Sequence, residues 1–190
     1  MKRRKFLSSC LGSAAGLPVF LFPAAKGIPL VYTRREQKRK SRVLVKVLGT
    51  AQDGGLPQIG CYCPNCLRAR KDRTFSRKIA SLAVFDLEDD KSFIIDATPN
   101  LRVQYDMLHA RSGKTRSGKR NSPEGILLTH AHIGHYTGLM FYGYEALSAS
   151  ELPVYCSERM GRFLTENGPW SQLVRLKNIS LRILAPDKDV

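Results

Sequence analysis

The chain has 190 residues, of which 43% are hydrophobic, and it is strongly basic: 31 Lys and Arg against 16 Asp and Glu give a formal net charge of +15. This length suits one domain with a real core, and the apolar content is ordinary for a globular fold. The excess charge is uneven. Lys2, Arg3, Arg4 and Lys5 open the chain; Arg34, Arg35, Lys38, Arg39, Lys40 and Arg42 form a second run; Arg111, Lys114, Arg116, Lys119 and Arg120 lie in a Ser/Gly-rich stretch. These read as solvated segments, with a patch for nucleic acid or phosphorylated substrate as the sharper alternative. They lack the interleaved aromatics that stack on bases, so a small-molecule substrate is expected rather than a nucleic acid.

In chain order, residues 1–25 read as an export leader. Arg3-Arg4-Lys5-Phe6-Leu7 resembles a twin-arginine signal, and a small-residue apolar stretch follows it. Gly12, Gly16 and Pro18 interrupt that stretch and argue against a stable membrane-spanning helix. The expectation is an exported, periplasmic protein that meets the membrane only through this signal, or stays anchored if the leader is not cleaved. Residues 26–42 form a basic linker, and 43–190 form the domain. A first strand is expected over 42–48, followed by a glycine-rich turn over 50–58 where Gly54 and Gly55 free the backbone. A short helical turn is expected over 64–70. Residues 81–87 and 92–96 read as strands joined by the polar turn Glu88-Asp89-Asp90-Lys91. Helical spacing of Leu101, Tyr105 and Leu108 predicts a helix over 101–110; residues 111–122 form a loop. The apolar run Gly125-Ile126-Leu127-Leu128 predicts a buried strand. Leu139, Met140, Tyr142 and Ala146 give one apolar face to a helix over 137–149. Strands over 153–156 and 178–184 flank a helix over 158–167. Strands mixed with helices and hairpins indicate an α+β fold, a layered αββα sandwich rather than a doubly wound parallel sheet.

The chemistry concentrates in two clusters. Thr129-His130-Ala131-His132-Ile133-Gly134-His135 places three of the four histidines within six positions at the end of a strand. Neutral imidazole is a common ligand of zinc, iron and related ions, and histidine is not a preferred core residue. Cys61-Tyr62-Cys63-Pro64-Asn65-Cys66 supplies three thiols that can converge on one ion, with a fourth ligand needed from elsewhere. Structural zinc suits that spacing. A disulfide is the alternative, with Cys156 as the odd partner, while Cys10 belongs to the leader. Asp96 ends a strand and either caps the next turn or orients a metal-bound histidine. Asp53 either faces the site from the glycine turn or is merely solvated. His109 reads as an ordinary histidine.

The histidine run resembles the His-x-His-x-Asp-His signature of the metallo-β-lactamase superfamily, with Gly134 where that family places aspartate. Together with 47–58, the cysteine cluster, Ile94-Ile95-Asp96-Ala97-Thr98-Pro99-Asn100 and Tyr136-Thr137-Gly138-Leu139, the chain over 43–184 is most similar to the pyrroloquinoline quinone biosynthesis protein B-like subfamily. More distantly it resembles cyclic phosphodiesterases of phosphonate metabolism. The resemblance implies His130 and His132 on one metal, His135 on a second, and a carboxylate near them at Asp96. Gly134 has no ligand atom, so one ion is expected to bind well and a second weakly or not at all. The implied activity is metal-dependent hydrolysis, in which activated water attacks a phosphodiester or acyl-type bond. Zinc is the expected ion, with iron or manganese as alternatives. An iron- and oxygen-dependent role in cofactor synthesis is the second reading, and an inactive fragment the third. The family fold has two similar halves, so the chain reads as its N-terminal half to two-thirds, with further ligands expected beyond Val190.

Overall fold

The computed structural model describes residues 42–109 and 122–186. The expected leader with Cys10, the linker up to residue 41 and the basic stretch 111–120 lie outside them. Among the described residues no helix is long and apolar enough to cross a membrane.

Six strands form one sheet in the order of the chain: β1 (Val43–Gly49), β2 (Ser81–Asp86), β3 (Lys91–Ile95), β4 (Gly125–Leu127), β5 (Leu152–Ser157) and β6 (Ile179–Leu184). The first three are antiparallel, and β3 through β6 run parallel. The β2–β3 hairpin closes on Asp86, whose carboxylate accepts the backbone N–H groups of Glu88 and Asp89. Those two donors hold its carboxyl below the usual range. Parallel neighbours need a crossover, and helices supply it. α1 (Pro64–Lys71) lies between β1 and β2, and α2 (Leu101–His109) between β3 and β4. α3 (Ile133–Tyr136) lies between β4 and β5, while α4 (Glu158–Glu166) and α5 (Trp170–Arg175) lie between β5 and β6. Ser157 starts α4 by accepting the Met160 N–H, and Glu158 in the first turn complements the helix dipole. The mixed sheet with helices is the α+β architecture expected from the sequence.

Strand alternation decides which face is buried. Leu48, Ala83, Ile94, Ile126, Val154, Cys156 and Ile179 point to the helical side and join Leu101, Leu139, Tyr142 and Leu164 in one core. The opposite face is apolar but open: Val43, Val45 and Val47 are each at least half exposed (50%, 55% and 54%). Val45 pairs across to Val84 and Val84 to Phe93, so this apolar row crosses three strands. The two faces should therefore respond differently to substitution. Ile94→Ala, at a site with no exposed surface, should cost about 2–5 kcal/mol in urea unfolding. Val45→Thr on the open face should stay within about 0.5 kcal/mol.

One expectation about helices fails. The helix expected over 137–149 is a 3₁₀ turn, Thr137–Tyr142, followed by irregular chain. Its geometry is set by tertiary contact: the Gly138 N–H donates to the Ala97 carbonyl, and a Cβ at Gly138 would lie 2.8 Å from that oxygen and nearer still to the Thr98 carbonyl. That close approach holds the segment against the loop after β3, and Gly143 leaves it extended. The short α5 was not foreseen.

Candidate metal centre

The ends of β3 and β4 place the polar cluster. The Asp96 N–H donates to the Leu127 carbonyl, and the Ala97 N–H to the His135 carbonyl, tying the loop after β3 to the histidine turn. Asp96 sits at φ 66°, a left-handed conformation that aspartate tolerates better than most residues. Only 5% of it is exposed, and its carboxylate is fully engaged. Oδ1 accepts the Thr129 N–H at 2.8 Å, the Thr129 hydroxyl lies 2.9 and 2.8 Å from the two oxygens, and Oδ2 is 2.8 Å from His135 Nδ1. A buried carboxylate without such partners would be costly.

These bonds fix proton positions. Nδ1 of His135 donates to Asp96, which leaves its Nε2 lone pair available. The Thr129 hydroxyl gives its single proton to Asp96 and so accepts from His130 Nδ1, 2.8 Å away. His130 is then held in the same tautomer through Thr129. This is the arrangement by which carboxylates orient metal-binding imidazoles. Thr129, which the sequence reading did not single out, is the relay; its position directly before the first histidine was the available signal.

Asp96, His130 and His135 offer ligand atoms within 4.8 Å of one another. His132 is not in that set, although its ring lies 4.5 Å from that of His130, and the His130 and His135 rings are 4.1 Å apart. His132 is the N-cap residue of α3 without a capping side-chain bond, and with His135 it lines a cavity of about 570 Å³. Asp53 and Gln58 line the same cavity from the loop after β1. Asp53 Oδ1 is 3.2 Å from His135 Nε2, and its Oδ2 accepts the Gly134 N–H at 3.1 Å. A larger groove of about 750 Å³, bordered by Leu101, Tyr105, Phe141 and Tyr142, contains none of these histidines.

The thiols of Cys61, Cys63 and Cys66 also lie within 4.8 Å of one another. Cys63 precedes Pro64 at the start of α1, and the Cys66 N–H, aided by the neighbouring thiols, draws its pKa down to about 7. The Gln58 N–H, 3.4 Å from the Cys66 sulfur, pulls that thiol down, but burial and the other two cysteines leave it raised. Cys156 is a free, fully buried thiol on the core face of β5.

A turn with three imidazoles, braced by a buried carboxylate at strand ends of a mixed sheet, is a candidate metal centre. Residues 91–190 match the model of the beta-lactamase superfamily domain, and the chain belongs to that superfamily. Among its relatives, coenzyme PQQ synthesis protein B of Rhodopseudomonas palustris strain BisB5 is 39% identical over 148 residues, covering 76% of this chain and 45% of that protein. The same protein of strain CGA009 is 33% identical over 133 residues, covering 68% and 40%. The chain thus spans less than half the length of these relatives. Zn²⁺-bound PqqB from Methylobacterium extorquens shares the fold at a TM-score of 0.61 and 24% identity, over 76% of this chain and 50% of that one. A diphosphatase from the PhnP family aligns at a TM-score of 0.54 and 25% identity, over 76% and 51%.

Proposed function

We propose that this chain carries the histidine side of a divalent-metal centre in a hydrolase that attacks phosphodiester or acyl-type bonds. The observation that supports it is the Asp96 network, which engages Nδ1 of His135 directly and Nδ1 of His130 through Thr129. His130 and His135 would hold the ion, with His132 beside them at the cavity. A divalent ion bound there supplies Lewis acidity, making water nucleophilic near neutral pH and polarising a substrate oxygen. The protein's own part is positioning. Asp96 keeps both rings in one tautomer, and the cavity presents Gln58 and Asp53 to whatever enters. The diphosphatase relative favours phosphoryl substrates over lactams. The cysteine cluster is proposed as a structural zinc site, and the leader as a route to the periplasm.

The chain loaded with Zn²⁺ or Mn²⁺ should hydrolyse a model phosphodiester, with His130→Ala reducing the rate at least about a hundredfold, the scale of removing one transition-state donor. No turnover across phosphodiester, thioester and lactam substrates would remove the hydrolase reading. The second reading, an oxygen-dependent step in quinone cofactor synthesis, is favoured by the protein B relatives. Iron content with oxygen consumption on loading would select it.

A further inference from the structure

We infer that Asp53 is a second carboxylate of the histidine centre, beside Asp96, carried on the loop after β1 in place of a side chain at position 134. The inference rests on the metal-centre reading above and names one more of its working residues. The first observation is steric. A Cβ built on Gly134 would lie 2.7 Å from Asp53 Oδ1 and 2.8 Å from Asp53 Cβ, with Asp53 Cγ closer still, and these are its three nearest atoms. Gly134 is buried within α3 and is not among the positive-φ glycines, so backbone freedom does not explain it. The space that a side chain would take is filled by the carboxylate of a residue 81 positions earlier.

The second observation is the placement of the carboxylate. Asp53 Oδ2 is fixed by the Gly134 N–H, which leaves Oδ1 facing His135 Nε2 at 3.2 Å. His135 already donates its Nδ1–H to Asp96. Oδ1 and Nε2 thus lie side by side on the wall of the cavity, close enough to contact one cation together. The charged oxygen donor that glycine at 134 removes from the turn is thus returned from the loop. The loop that carries it is pinned: the Thr50 and Ala51 N–H groups both donate to the Lys78 carbonyl, and Leu56 and Arg77 exchange backbone bonds.

The test is a four-protein cycle on the full chain: wild type, Asp53→Gly, Gly134→Asp and the double variant. Mn²⁺ is the probe because carboxylate and imidazole suit it and thiolates do not select it; binding is read from loss of the free Mn²⁺ paramagnetic resonance signal. Asp53→Gly should weaken Mn²⁺ at least about tenfold, the scale found for groups that support a metal site. Gly134→Asp alone should also weaken it and lower the metal-free melting temperature, because its side chain meets Asp53. The double variant should regain both the affinity and the melting temperature. Wild-type affinity in Asp53→Gly, or a double variant no better than Gly134→Asp alone, overturns the inference and leaves the hydrolase reading standing. Wild-type protein that binds neither Mn²⁺ nor Zn²⁺ at the histidines overturns both; the metal-free melting cycle then still reports whether the two positions share one space.

Discussion

Asp96→Asn should leave the protein folded and strip the histidine centre of its metal affinity. The two carboxylate oxygens do different jobs. Oδ1 accepts the Thr129 N–H, Oδ2 accepts His135 Nδ1–H, and the Thr129 hydroxyl lies against both. An asparagine amide has one acceptor and one donor end. With its oxygen toward Thr129, its NH₂ faces His135 Nδ1 and drives the ring proton to Nε2, so the metal-binding lone pair is lost. With its oxygen toward His135, its NH₂ opposes the Thr129 N–H. Either orientation breaks one function. Metal affinity should fall about 10- to 100-fold or more, the range for groups that orient metal-bound histidines. Asp96→Ala should add a folding cost. It leaves the Thr129 N–H without a partner in a site only 5% exposed, worth about 1–3 kcal/mol. For a chain of this size that is roughly 2–12 °C in melting temperature. Chelator competition and thermal melts on the two variants separate the effects. Asp96→Asn with wild-type affinity would show that Asp96 caps a turn and does nothing for the centre.

The sheet was legible because its strands are short apolar runs bounded by turn residues, and the Glu88–Lys91 turn sits where the β2–β3 hairpin closes. The helix expected over 137–149 was not, for a physical reason: Leu139, Met140 and Tyr142 satisfy helical spacing, yet Met140 is 55% exposed while Tyr142 is buried. Contact of Gly138 with the loop after β3 overrides the period. The centre was legible as residue types and not as a network. Three histidines in six positions announce metal, but no period in the chain reports that Asp53 reaches Gly134, or that Thr129 bonds Asp96 across 33 positions. Gly134 looked like a loss because a turn was judged by its own residues. The inferred replacement is Asp53, which the sequence offered as either facing the site from the glycine turn or merely solvated.

Cys66→Ser should cost the protein one equivalent of zinc and loosen a loop that the histidine centre uses. Cys66 is 3% exposed, and its sulfur accepts the Gln58 N–H. Arg70 reaches from α1 to the carbonyls of Cys61 and Gln58, so thiols and guanidinium together fasten residues 58–61 to the helix. Gln58 and Asp53 line the same cavity as His132 and His135. A zinc ion on the three thiols would therefore brace the loop that carries Asp53. Such ions contribute folding energy outright, because the unfolded chain has no preformed site. Zinc content should drop by one per chain and the melting temperature by several degrees, at roughly 2–4 °C per kcal/mol for this size. Mn²⁺ affinity at the histidines should fall as well, although Cys66 touches none of them. A disulfide would behave differently: reductant would destabilise the wild type and a zinc chelator would not. Unchanged zinc content in Cys66→Ser, with wild-type Mn²⁺ binding, would show that the cysteines neither hold an ion nor support the loop.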